Sequence, residues 1–126
     1  MSSLEGLPLS ILQRTTEREL DAAEMLFRQG NKAAAIFEVQ QGRLLLIRST
    51  IDSHPVVLHT ARKGELFAEA ALFASTYHCD AVAVTASRVR VYPKRELLAA
   101  FRNDPAIGER FMCRARAPDS RASHTA

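Results

Sequence analysis

Cysteine is scarce in this chain. Cys79 and Cys113 are its only two, which gives no disulfide framework and makes a reducing cytoplasm the expected compartment. Long apolar runs are also lacking. No stretch approaches the ~20 residues that cross a bilayer, so no membrane partner is expected. The start, MSSLEGLPLSILQRTT, lacks a basic segment followed by a long apolar core, so it does not read as a secretory signal. Catalytic signatures are missing as well. There is no Ser-His-Asp arrangement of recognisable spacing, no Gly-rich phosphate loop and no paired metal-ligand motif. The chain therefore reads as a binding module, not an enzyme.

What is present fits one globular domain. The chain has 126 residues, of which 47% are hydrophobic and 25% charged, enough to bury roughly two-thirds of its unfolded surface. The net charge of +3 is unevenly spread. From Arg88 onward nine Lys/Arg face four Asp/Glu, while the first 87 residues hold eight and ten. A basic end can touch nucleic acid. No aromatic interleaving or groove-reading motif accompanies it, so a solvated Arg-rich tail is the plainer reading.

Alternation and turn chemistry lay out the domain. Residues 1–17 read as a helical lead-in carrying Leu7, Leu9, Ile11 and Leu12. Residues 18–93 read as a run of short strands. Ala35 to Val39 and Leu44 to Ile47 flank a turn at Gly42, and the second of these looks buried on both faces. Val56 to Thr60, Ala81 to Val84 and Ser87 to Tyr92 follow as strands. In the last, Val89 and Val91 alternate with Arg88, Arg90 and Tyr92, predicting one apolar and one polar face. Residues 94–116 read as helical. Pro93 starts a helix over Lys94 to Arg102, then Asp104 and Pro105 supply the N-cap and first position of another. Residues 117–126 have no apolar period and are expected to be disordered. The fold class is mainly β with flanking helices: an antiparallel, jelly-roll-like β-roll (a double-stranded β-helix) of about eight strands.

The most informative stretch is Gly64 to Ala83, GELFAEAALFASTYHCDAVA. Gly64, Glu65, Leu66 and Phe67 lead into a short helical turn from Ala68 to Phe73. A polar break follows, then Tyr77, His78 and Cys79, then a strand. The first free N–H groups of such a turn favour an anion, and Glu65 can accept hydrogen bonds from sugar hydroxyls. This arrangement resembles the phosphate-binding cassette of the cyclic-nucleotide-binding domains in the Crp/Fnr (catabolite-activator/fumarate–nitrate regulator) family of bacterial transcription regulators. The segment Arg18 to Asn31 is similar to that family's opening hairpin, with Ala23 where Gly is usual and Asn31 where Asp is usual. The Gly-to-Ala change is tolerable if the position is not left-handed.

The resemblance implies a small-molecule ligand of the nucleotide class and no other cofactor. It also implies that the cassette closes with Arg-Ser, the Arg pairing with the cyclic phosphate. Tyr77 and His78 stand at those two positions. Tyr77 cannot supply a permanently charged bidentate fork, so cyclic AMP is expected to bind weakly or not at all in the usual mode. His78 carries a charge only near or below about pH 6.5, and an anion site built on it would be tighter at low pH.

Other readings compete. Glu65 can instead satisfy local backbone N–H groups, and Glu69 can face solvent. His78 and Cys79 adjoin the cassette, as a metal or haem sensor would need, but neighbours on an extended segment point to opposite faces. A cupin-like metal enzyme would have to draw ligands from His54, His59, His78, Glu65 and Glu69, which lack the H-x-H spacing of such sites. In the family the last helix continues as a dimer coiled coil and leads to a helix-turn-helix. Here Ile107, Phe111 and Met112 offer a short stripe, so a monomer or weak homodimer is expected. No helix-turn-helix pattern follows, so the 126 residues are expected to bind no operator specifically and to be a stand-alone sensor or a truncated regulator.

Overall fold

The computed structural model describes residues 9–49, 52 and 54–111. After a single helical turn, α1 (Leu9–Leu12), come β1 (Thr16–Leu20), β2 (Met25–Phe27), β3 (Ala35–Gln41), β4 (Arg43–Ser49) and β5 (Pro55–Arg62). Then follow β6 (Leu66–Phe67), a 3₁₀ turn (Glu69–Phe73), β7 (Asp80–Ala83), β8 (Ser87–Pro93) and α2 (Lys94–Asn103). A last helix, α3, spans 105–111. The strands form two four-stranded antiparallel sheets, ordered β1-β8-β3-β6 and β2-β7-β4-β5. This is the antiparallel β-roll with C-terminal helices that the sequence predicts. The notional hairpin of Arg18 to Asn31 does not form: β1 pairs with β8 and β2 with β7, in different sheets.

The core lies between the sheets. In one, Phe37 sits opposite Phe67 and Val91, and Val39 opposite Val89. In the other, Leu44 sits opposite Ala61 and Ala83, and Leu46 opposite Ala81. Ala61, Ala81 and Ala83 are essentially fully buried, and their small size lets the bulkier rings opposite fill the gap. Leu45, Leu46 and Ile47 are only partly covered, so β4 is not buried on both faces. Its outward side meets solvent, as one face of an antiparallel sheet commonly does.

The first sheet is covered on its outer side too. Ile36 and Tyr92 are cross-strand partners there, both 0% exposed. Ile11 of α1, Leu97 of α2 and Phe111 of α3 are all buried, and Phe111 meets Tyr92 edge-on at 5.7 Å. That cover explains why Tyr92 is buried on the face that Arg88 and Arg90 share. It also sequesters the acid Glu38, 5% exposed, which accepts from the Tyr92 hydroxyl at 3.0 Å and lies 3.9 Å from Arg90 Nε.

Local chemistry sets the connections. Gly42 has φ 88°, and a Cβ there would collide with Ser87 Oγ and lie 2.7 Å from the Ala86 carbonyl oxygen, so only glycine fits the β3–β4 turn. Pro93 precedes α2 with φ −62°. Asp104 Oδ1 accepts from the Ala106 N–H at 3.1 Å, capping α3 as its sequence predicts. No helix among the described residues is long and apolar enough to cross a membrane.

Candidate functional site

The cassette-like stretch leaves β5 through a turn at Gly64, φ 90°. Glu65 closes that turn. Its Oε1 accepts from the Arg62 N–H at 2.9 Å, and its Oε2 lies 2.7 Å from His59 Nε2. Both side chains are largely covered, 13% exposed for Glu65 and 18% for His59. The backbone is tied to β3 at the same place: Val39 N–H donates to the Glu65 carbonyl at 3.0 Å and Gly64 N–H to the Val39 carbonyl at 2.8 Å. Both carboxylate oxygens are thus engaged within the chain, an arrangement that favours the structural role of Glu65. Leu66 and Phe67 form β6 and are 1% and 2% exposed. They are core residues.

Ala68 then adopts the left-handed conformation, φ 66°, which an L-residue with a Cβ disfavours by roughly 1–2 kcal/mol. Ala23 does the same at φ 72°, so the Gly-to-Ala change in the β1–β2 connection falls on a left-handed position. After Ala68 the chain makes a 3₁₀ turn of five residues, Glu69 to Phe73. So short a turn sums little dipole, which weakens the anion expectation placed on it. Glu69 begins the turn and is half-buried, while Phe73 is 79% exposed.

The largest departure from expectation is Tyr77. Its side chain does not point toward a ligand. It is 8% exposed and stacks on Phe27, ring centroids 3.9 Å apart and planes 15° from parallel. Phe27 stacks on Phe37 at 5.6 Å, and Phe37 on Phe67 at 5.4 Å. Four rings thus fill the space between the sheets beneath the cassette. The Tyr77 hydroxyl donates to the Ala35 carbonyl at 2.9 Å and accepts from the Ala35 N–H at 3.2 Å. Burial pushes its pKa up, against the smaller opposing pull of the Ala35 and Ala34 backbone. No local pattern in the sequence marks Tyr77 as inward-facing, because its packing partner Phe27 lies fifty positions earlier in the chain.

His78 is exposed and Cys79 half-buried, in a bend just before β7 and not in the extended segment that the sequence predicts. Burial raises the Cys79 thiol pKa, Arg48 pulling it down and Asp80 pushing it up by smaller amounts. Arg48, from β4, donates its Nε to the His78 carbonyl at 3.1 Å. Beside this contact lies a shallow hollow of about 330 Å³ lined by Gln29, Gly30, Arg48, Thr76, Tyr77 and His78. No group of three or more His, Cys, Asp or Glu side chains comes together among the described residues. His54 and His59 are not among the residues that line the hollow.

Ile107 and Phe111 are 8% and 4% exposed. Phe111 packs on Phe101 at 5.7 Å as well as on Tyr92. The stripe read as a dimer contact therefore covers the chain's own sheet, because that sheet's outer face is apolar at Ile36 and Tyr92. Met112 lies outside the described residues, as does Cys113.

Comparison with known proteins agrees with this architecture. Residues 17–104 match the model of the cyclic nucleotide-binding domain, so the chain belongs to that family. Among solved structures, a putative cyclic nucleotide binding protein from Ruegeria pomeroyi shares 32% identity with a TM-score of 0.75, covering 82% of this chain and 46% of that one. The sensor domain of the transcriptional regulator DNR from Pseudomonas aeruginosa superposes with a TM-score of 0.79 at 22% identity, over 88% of this chain and 78% of that one. The catabolite activator protein of Thermus thermophilus gives 0.73 at 22%, over 88% and 55%. The chain spans about half the length of the first of these relatives, 46%. A search of curated proteins finds no match.

Proposed function

We propose that this domain is the ligand-sensing part of a Crp/Fnr-type transcription regulator, and that its cassette does not take cyclic AMP in the family's usual mode. The observation that carries this is Tyr77. At the position where the resemblance places the phosphate-binding arginine, the side chain is turned into the core and bonded to Ala35. A neutral phenol fixed there offers a phosphate neither charge nor a bidentate fork. Glu65, the sugar-binding acid of the resemblance, is held by His59 and Arg62.

The role assigned to it is sensing, which the family and fold of regulatory binding domains support. Calorimetry with cyclic AMP at neutral pH tests the reading. The expected result is no binding, or a dissociation constant well above about 1 μM. A constant of about 1 μM or tighter would overturn it.

A further inference from the structure

One edge of the second sheet is apolar and uncovered. β5 ends the order β2-β7-β4-β5 and pairs only with β4. Among the described residues, no backbone group of residues 55–61 bonds outside that ladder. Val56, Val57 and Leu58 are 45%, 55% and 45% exposed. Val57 lies opposite Ile47, itself only partly covered, and the register shift leaves Leu58 with no residue opposite it on β4. The strand, PVVLHTAR, has few of the usual guards of an edge: no Lys, no acid, and a proline only at its first position. An apolar edge of this kind invites another strand.

The two ends of the strand carry opposite charge. Arg62 closes it, Lys63 follows, and Arg62 lies directly opposite Arg43 of β4. All three are exposed, and like charges directly opposite on a sheet repel. Asp52, also exposed, lies in the turn before the other end. Among the described residues, none of these four side chains has an ion pair.

The strand is complementary to itself. Asp52 and Arg62 stand five positions to either side of Val57. An antiparallel copy centred on Val57 therefore brings Asp52 toward the Arg43–Arg62 pair of the other chain, twice by symmetry. In that register Val57 meets Val57, and Val56 lies across from Leu58. Centring on Leu58 instead would set Val57 against His59 and Val56 against Thr60, and would carry Asp52 past Arg62 to Gly64.

We propose that β5 is a self-association surface on which a second copy of this chain docks antiparallel, joining two four-stranded sheets into one of eight. The contact is small. One strand pair falls at the low end of interface size, below about 1,200 Å², so the dimer is weak and concentration-dependent. The helical stripe takes no part, since Ile107 and Phe111 are buried within their own chain. The inference concerns assembly, goes beyond the sensing role and does not depend on it.

Sedimentation of the 126-residue chain from about 10 μM to about 1 mM, the range of weak association, tests it. A reversible monomer–dimer equilibrium is expected. Val57→Lys should weaken it roughly tenfold or more, because two ammonium groups would then face each other across the axis. Asp52→Arg alone and Arg62→Asp alone should each weaken it, while the two together should regain most of the affinity. Melts followed by circular dichroism check that every variant folds, as exposed positions allow. The proposal is overturned if the chain stays monomeric up to about 1 mM, which would leave the edge to a different partner, or if the dimer is indifferent to Val57→Lys. Failure of the double reversal to recover affinity would overturn it too. So would assembly beyond two, because an antiparallel pair of edges closes at the dimer.

Discussion

Tyr77 and Phe27 lie face to face, 3.9 Å between ring centroids, and this contact joins the end of the cassette to β2. It fixes Tyr77 as a structural residue at the one position where the family resemblance calls for a charged ligand. Substituting the family's residue should therefore not restore the family's ligand. Tyr77→Arg would place a guanidinium at a site only 8% exposed, against the rings of Phe27 and Phe37, and should cost about 3 kcal/mol or more. Tyr77→Phe should cost less, about 1–2 kcal/mol, for the two bonds to Ala35. Urea melts of both variants, with cyclic AMP titrated into each, check this. An arginine variant as stable as the parent, and binding cyclic AMP, would sink the argument.

Ala68 and Ala23 bear on stability in the opposite direction. Both sit at positive φ, 66° and 72°, where glycine carries no Cβ penalty. Ala68→Gly and Ala23→Gly should each stabilise the domain by roughly 0.5–1 kcal/mol, the relief of the left-handed strain outweighing the added freedom of the unfolded chain. A lower melting temperature in both would show that the two turns adopt other conformations in solution.

These positions also show what was legible in the sequence. The two sheets and the helix boundaries could be read because they follow from local patterning: Val89 and Val91 alternate, Gly42 needs its turn, and Asp104-Pro105 starts a helix wherever it occurs. The partner of each strand could not be read that way. β1 and β2 are neighbours in sequence, yet their partners β8 and β7 lie more than fifty residues away, and no local preference carries that. The site was harder still. Whether Tyr77 points in or out depends on the rings of Phe27, Phe37 and Phe67, which come from three other strands. Whether Glu65 is available depends on His59, across the β5–β6 turn. Arg48 lies thirty positions before His78, and its place at the cassette came only with the fold.

Glu38 offers a test of the outer layer. It is 5% exposed and receives the Tyr92 hydroxyl at 3.0 Å. Glu38→Leu should destabilise by about 2–4 kcal/mol, because it strips buried donors of their acceptor. Adding Tyr92→Phe should cost less than it does in the parent, giving a coupling energy above about 0.5 kcal/mol in a double-mutant cycle. Strict additivity of the two changes would mean that the pair is not coupled.

Cys79 gives a prediction with a pH sign. Burial raises its thiol pKa in the folded chain, so the folded state favours the neutral thiol and the unfolded chain ionises first. The stability this contributes is complete below the unfolded pKa, and it is lost as pH rises through the folded one. Alkylation follows the thiolate fraction. In a Cys113→Ser background, so that only Cys79 reports, iodoacetamide should react more slowly than with a free cysteine peptide at about pH 8.5, the ordinary thiol pKa. The midpoint of its pH–rate profile should lie above the peptide's. Because Arg48 pulls the other way, Arg48→Gln should move the midpoint further up. A midpoint at or below that of the peptide, or one that falls when Arg48 is removed, would show that Cys79 is more open to solvent than its half-buried position implies.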